Sequence, residues 1–439
     1  MLERKKVVII GGGLSGLSCG LRLSDYADVV ILEAKDQAGG LAASVKVGNK
    51  WIPITYHHVM SVDRVTQRFL KEFGLYDEVY WKNIQIAYYF HERCYLMSSP
   101  KHLLQFKALS LTERVRLGIL GVECVLRKNW KELNDKPADR WIESRVGERV
   151  KGLIFERLSE MKFGMPLKYV SAGWLGSRLG ESARNREEFG YPRSGIKHFL
   201  DLIVKKFVSK GELHLNTPVK EIKPYSVETG DGKEFRYDYL VSTIPPSLLL
   251  KIQKLTDNLD EEMRAIKYVP MICSVFGSNT LITPHYWNVY MEPKLSFGGV
   301  FHHTSLYPEG GVNGEYVYYT FTYLHDENDP MWLKDEEECK YIHVNDIKKL
   351  NPSFKEEWWH TFKIKDSMPL FNVGYRCPPV KSRVIPNLFY AGVYRKFPQT
   401  RTMHTALESG EETACEVLNS INNQVQTQEY HTTKYILNR

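Results

Sequence analysis

The stretch VVIIGGGLSGLSCGLRL, residues 7–23, decides how the rest of the chain is read. Four β-forming side chains, Val7, Val8, Ile9 and Ile10, run straight into Gly11, Gly13 and Gly16, and helix-like spacing follows through Leu17, Leu21 and Leu23. The pattern predicts a strand, a tight turn and a helix. In such a unit Gly11 permits the turn, Gly13 lets the backbone approach a pyrophosphate, and Gly16 lets the helix pack on its strand. Leu14 and Ser15 open the helix, so its free N–H groups and the positive end of its dipole face an anion.

The next segment narrows the ligand. In DVVILEAKDQAGG, residues 28–40, the apolar run Val29–Leu32 reads as a second buried strand that ends in Glu33, with Ala34 beside it. An acid about twenty residues beyond the glycines accepts hydrogen bonds from ribose hydroxyls. It would repel a 2′-phosphate, which disfavours NADP and leaves NAD or FAD.

The doublet Gly39-Gly40, in EAKDQAGGLAAS, separates those two. This stretch resembles the flavin-containing amine oxidase and protoporphyrinogen-oxidase-like superfamily, whose members carry a glycine doublet beside the FAD pyrophosphate. The likeness continues in order along most of the chain. YPRSGIKHFLDLIVKKFVSKGELHLNTPVKEI is similar to the superfamily's approach to the adenine, with Val219 at a backbone contact, and DYLVSTIPP, which holds Thr243, to its strand returning to the nucleotide domain. NLFYAGVYRKFPQTRTMHTALESGEETA is similar to its closing flavin motif, which implies Gly392, Thr402, Met403 and Ala406 beside the ribityl chain and flavin ring. Two positions depart from the amine oxidases: Leu41 stands where Arg is usual after the doublet, and Val393 where an acid is usual. The GGLA sequence is closer to the protoporphyrinogen-oxidase-like branch.

The resemblance implies an α/β fold with a discontinuous Rossmann-like FAD-binding domain at 1–75, 190–247 and 380–420 and a substrate domain at 76–189 and 248–379. Periodicity adds a helical part near 100–188 and a mixed antiparallel sheet near 262–370, where β-branched and aromatic residues cluster. The segment 421–439 reads as a polar, loosely held tail.

Residues with candidate chemistry lie in WIPITYHHVM, where Tyr56-His57-His58 resembles the histidine-bearing segment of UDP-galactopyranose mutases. A histidine near a flavin can tune its electron affinity or take a substrate proton. Read as a strand, the pair would face opposite sides, so at most one would meet the ring and the other would point into the core or to solvent. Arg401 precedes Thr402 and Met403 and so should lie near the flavin; Tyr394, Arg395, His404, Arg178 and Arg193 are further polar candidates for an anionic group. His285, Tyr286, Trp287, His302 and His303 form an aromatic and histidine cluster that suits either a flat substrate wall or a packed sheet. Two functions follow from the resemblance: an FAD-dependent oxidoreductase removing a hydride from a C–N, C–C or C–O bond of a small, lipid-linked or sugar-linked substrate, or a mutase-like flavoenzyme acting on a nucleotide sugar.

With 439 residues and 43% hydrophobic content, the chain can bury two domains. No apolar run is long enough for a membrane span, and the charged start leads into a strand rather than a signal peptide. Seven scattered cysteines suit a reducing, cytoplasmic setting and give no metal signature. A net charge of +7 permits an anionic substrate or a membrane surface, while no nucleic-acid module is recognisable. In the helix expected at 111–130, Arg114, Arg116, Arg127 and Lys128 flank Leu117, Ile119, Leu120 and Val122. That pattern fits peripheral membrane contact and equally an ordinary helix on the core; the core-packed form is expected.

Overall fold

The computed structural model describes residues 4–90, 93–97, 99–184, 188–256, 259–292, 294–399 and 401–437. At its centre is a parallel sheet in the spatial order 212–214, 28–32, 6–10, 239–242 and 388–390. Val7, Val8, Ile9 and Ile10 are buried on both faces, as a parallel sheet covered by helices requires. The chain enters this sheet in pieces far apart in sequence: Val7 pairs with Tyr239 and Val29, and Leu240 with Leu388.

The helix Leu14–Leu23 leaves the central strand and lies against the last helix, Met403–Leu437. Ser15 Oγ donates to the Ala406 carbonyl at 3.0 Å and Ser18 Oγ to that of Leu407 at 2.7 Å. The approach is so close that a Cβ on Gly410 would lie 2.3 Å from the Ser15 carbonyl oxygen. From residue 421 the backbone of the polar segment continues the final helix to Leu437. Residues 438 and 439 lie outside the described chain.

A second sheet has the order 356–369, 268–278, 316–323, 299–302, 287–292, 86–90 and 93–96. It contains the antiparallel strands expected near 262–370. It also recruits two strands, Ile86–Phe90 and Arg93–Leu96, from before the helical segment, and Ile86–Phe90 pairs in parallel with Trp287–Glu292. Its partners Ile86 and Trp287 stand 201 positions apart (287 − 86), so no local pattern signals that pairing. The helices Leu111–Leu126, Ala138–Val146 and Ala172–Arg184 pack on one another, and Arg157–Phe163 lies against the strand 316–323 of the second sheet.

The expectation that the helix 111–126 buries its apolar stripe is wrong. Only Leu120 and Cys124 are buried, and Leu111, Val115, Ile119, Val122 and Leu126 face solvent. The face that packs on the neighbouring helices is the narrow one carrying Leu117, Leu120 and Cys124, because Cys124 is held close to Gly180, where a Cβ would lie 2.4 Å from the Cys124 carbonyl oxygen.

Substitution Gly410→Ala is expected to force the two nucleotide-side helices apart and cost about 1–3 kcal/mol of stability. Thermal denaturation followed by circular dichroism checks this; an unchanged melting temperature would show that the helix pair tolerates a methyl group.

Candidate active site

The glycine loop sits at the carboxyl ends of the parallel strands, the usual location of ligand crevices in such sheets. Gly11 has a φ of +105° and donates its N–H to Leu32. Gly16 must be glycine for another reason: its Cβ would stand 2.0 Å from the Gly11 carbonyl oxygen. Thr243 Oγ1, from the adjacent strand end, donates to the carbonyls of Ile10 and Gly11 at 2.9 and 3.0 Å. Glu33 follows its strand directly and turns its carboxylate inward, accepting from Gly12 N–H at 2.6 Å and Lys35 N–H at 2.9 Å.

The doublet closes against this loop. Gly39 N–H donates to the Gly12 carbonyl, Gly39 bridges Gly13, and Gly40 lies so near that its Cβ would be 3.2 Å from the Gly13 Cα. Leu14 and Ser15 begin the helix after Gly13, and no side chain caps it. A Cβ on Gly13 would touch only Gly40 Cα at 3.8 Å, so the loop is open to a ligand on that side. First-turn amides, a cradle without side chains and a carboxylate at its edge are the donor set a dinucleotide diphosphate and its ribose require. Asn216 N–H and Thr217 N–H bond the carbonyls of Lys35 and Glu33, which brings the strand beginning at Val219 alongside Glu33 and Ala34.

The closing motif reaches the same edge. Gly392, with φ +154°, follows the strand Leu388–Tyr390, and its N–H is held by Ser409 Oγ at 2.8 Å. Thr402, Met403 and Ala406 form the start of the last helix, tied to Ser15 as described.

Beyond the doublet, Tyr56, His57, His58 and Lys162 are enclosed by the surrounding elements yet only half-buried, which points to a recess there. Residues 56–58 are not a strand, so the alternation expected for the two histidines fails and both turn inward. His57 Nε2 lies 2.9 Å from the Leu41 carbonyl, which can only accept, so Nε2 carries the proton and Nδ1 is the bare acceptor. His58 stacks on Phe189 at 4.2 Å and bonds Tyr286 OH through Nδ1 at 3.0 Å. Burial holds both neutral, His57 down to about 4 and His58 to about 3.

Arg401 reaches Tyr323 OH at 3.4 Å, and Tyr323 OH meets Tyr56 OH at 3.0 Å. Arg401 Nε and Tyr394 OH are buried with no protein partner. Lys162, on the helix Arg157–Phe163, places its Nζ 4.3 Å from the Trp287 ring centre and 5.2 Å from that of Phe321. Burial, and then the charges of Arg178 and Arg401, push this lysine well below its ordinary range. Among the described residues neither Lys162 nor Arg178 forms an ion pair, and Trp287 Nε1 is also buried without a partner. Phe301 stacks on Tyr56 at 4.1 Å and completes the aromatic wall.

The structure therefore brings Tyr56, His57, His58, Arg401, Tyr286 and Trp287 together around one space. It separates others: His302 and His303 are buried among Tyr318, Tyr191 and Tyr319, Arg193 lies over the half-buried Tyr80 ring, Arg395 turns to Glu412 and His404 accepts from Val65 N–H. Lys162, Tyr323 and Phe301 were not foreseen, since nothing in their local spacing marks them. Asp63 is another: burial raises its carboxyl to about 7 where it caps Met60 N–H.

Comparison with known proteins identifies the class. The model of the family of flavin containing amine oxidoreductases matches residues 14–418, and the chain belongs to that family. The chain spans two thirds or less of the length of the curated relatives it matches, 66%, 24% and 54% of the first three. A probable flavin-containing monoamine oxidase A of Dictyostelium discoideum is 25% identical over 308 residues, covering 64% of this chain and 66% of that protein. Two solved structures share the fold at 15% identity and a TM-score of 0.75: a protoporphyrinogen-oxidase-like protein of Exiguobacterium sp. 255-15, covering 94% of this chain and 98% of that one, and a reduced UDP-galactopyranose mutase, covering 94% and 96%. No described helix is long and apolar enough to cross a membrane.

The buried histidines set an acid limit on the fold. His57, His302 and His343 are lowered to about 4 and His58 and His303 to about 3, from 6.5. Between those values the unfolded chain binds more protons, so stability rises with pH and is lost as pH falls from 6.5 towards 4. Asp63, raised from 3.8 to about 7, and Asp366, also raised by burial, act in the opposite sense, but they are two carboxyls against these five histidines together with His285 and His404, which burial lowers as well. Unfolding at pH 5.5 is expected to take up protons, measured by calorimetry in buffers of different ionisation enthalpy; proton release would mean that these histidines are charged in the fold.

Proposed function

We propose that FAD lies along the glycine edge of the parallel sheet and that its flavin end meets the recess, where an anionic group of the substrate is held by Arg401, Arg178 and Lys162. Gly11, Gly13, Leu14, Ser15 and Gly16 take the pyrophosphate at the helix N-terminus. Glu33 and Ala34 take the ribose, Val219 the adenine side, and Gly39, Gly40, Leu41, Thr243, Gly392, Thr402, Met403 and Ala406 surround the ribityl chain and ring. Bound FAD supplies the capacity to accept a hydride.

The single observation behind the substrate class is two arginines and Lys162 around an aromatic recess where, among the described residues, neither Lys162 nor Arg178 forms an ion pair, the carboxyl of Asp63 near Arg178 being raised by burial. An ammonium about 5 Å from either arginine would meet repulsion of about 3 kcal/mol at an effective dielectric near 20. The same distance favours a carboxylate or phosphate by that amount. An anion beside Lys162 favours its charged form and so opposes the effect of burial there. Tyr56, Phe301, Phe321 and Trp287 receive the apolar body of the substrate and exclude water. His57 fixes the Leu41 carbonyl, and His58, neutral and stacked, shapes the recess without adding charge. The cations also suit a diphosphate, which supports a second reading as a mutase-like enzyme on a nucleotide sugar; turnover of such a sugar without consumption of an electron acceptor would favour it.

Glu33→Ala is expected to weaken FAD retention by about 1.5–3 kcal/mol, the worth of hydrogen bonds to a charged group. The ratio of flavin to protein absorbance after gel filtration measures it, and an unchanged ratio removes Glu33 from the ribose. For the substrate side, benzoate and related aryl carboxylates are expected to perturb the flavin spectrum of the holoenzyme at lower concentration than benzylamine. Lys162→Met and Arg401→Gln should each weaken the carboxylate effect about tenfold or more. A preference for the amine would overturn the anionic reading and leave the FAD placement standing.

A further inference from the structure

We propose that the solvent face of the helix Leu111–Leu126 docks on an anionic lipid surface, lying in the interface without crossing it. Seven of the twenty exposed large apolar side chains fall between Leu104 and Leu126, whereas the others are scattered over the rest of the described chain. Scattered ones need no explanation; a contiguous group marks an interaction surface. At about 100° per residue, Leu111, Val115, Ile119, Val122 and Leu126 fall within an arc of about 80°, along about 24 Å of helix. Each is more than half exposed.

The occupant follows from charge. The segment 100–128 carries Lys101, Lys107, Arg114, Arg116, Arg127 and Lys128 against only Glu113 and Glu123. Both acids are already neutralised, Glu113 by Arg149 at 2.7 Å and Glu123 by Arg145 and Arg127 at 3.1 and 3.2 Å. Lys101, Lys107, Arg116 and Lys128 are exposed, and among the described residues none of them forms an ion pair. Arg114 and Arg116 lie on opposite sides of the apolar stripe, about 60° from its two edges. An apolar stripe flanked by Arg116 on one side and by Arg114, bound only to the carbonyls of Leu104 and Ser110, on the other matches acyl chains beneath anionic headgroups. It suits a second copy of this positively charged chain poorly, because the same cations would face each other.

The test is cosedimentation of the full-length, FAD-loaded protein with vesicles of phosphatidylcholine alone and of phosphatidylcholine with phosphatidylserine. Binding is expected to the anionic vesicles and to fall with added salt. Ile119→Glu with Val122→Glu should lower the bound fraction about tenfold or more, with flavin absorbance and melting temperature unchanged because both side chains are exposed. Arg116→Glu, which leaves the apolar stripe intact, should weaken binding to anionic vesicles severalfold and reads the electrostatic part independently. Absence of binding at low salt, or equal binding by all variants, overturns the proposal. So does a dimer in sedimentation analysis that the double variant splits, since the face would then belong to a second copy.

Discussion

Where the helix Leu14–Leu23 crosses the helix that begins at Met403, the Ser15 carbonyl faces a Gly410 that has no side chain to oppose it, and Ser15 and Ser18 donate back to the carbonyls of Ala406 and Leu407. Residues almost four hundred positions apart are held at backbone distance. The glycine loop at one end of the first helix and the Thr402–Ala406 turn at the start of the last are thereby fixed on the same edge of the sheet. A wider crossing would move the closing motif away from the loop, and the continuous cradle from Glu33 to Ala406 would not exist.

From that edge the recess grows by a short chain of contacts. The doublet bridges the loop at Gly13, Leu41 follows it, and His57 binds the Leu41 carbonyl, so the segment 55–58 is drawn over the end of the cradle. The second sheet then supplies Phe301, Phe321, Tyr323 and Trp287 as a wall, and the helix Arg157–Phe163 supplies Lys162 from the other side. Neutral histidines and unpaired cations coexist there for one physical reason. Burial removes the charge of an imidazole at little cost, whereas an arginine keeps its charge and needs an anion.

The helix 111–126 shows the same principle on the outside of the molecule. Its sequence has an apolar stripe that would ordinarily be read as core, but the neighbouring helices take the small residues of the opposite face. Close backbone approach at Gly180 uses the Cys124 side of the helix, and Ile119, Val122 and Leu126 are left in water. The packed face is the narrower of the two, and it is the one that allows the closer contact.

Local chemistry made part of this protein legible in advance. The strand, turn and helix at 7–23, the acid at Glu33 and the doublet at Gly39-Gly40 depend on residues near one another in sequence, and their steric demands are written in the residue types. The FAD-dependent family is legible for the same reason, because its motifs are short stretches of constrained backbone. What only the tertiary structure decided depends on residues brought together across hundreds of positions. The pairing of Ile86–Phe90 with Trp287–Glu292, the inward turn of both His57 and His58, and the place of Lys162 over Trp287 have no local signature. Nor does the direction in which an amphipathic helix faces, since periodicity states that a stripe exists and the competition of neighbours for close contact decides where it points.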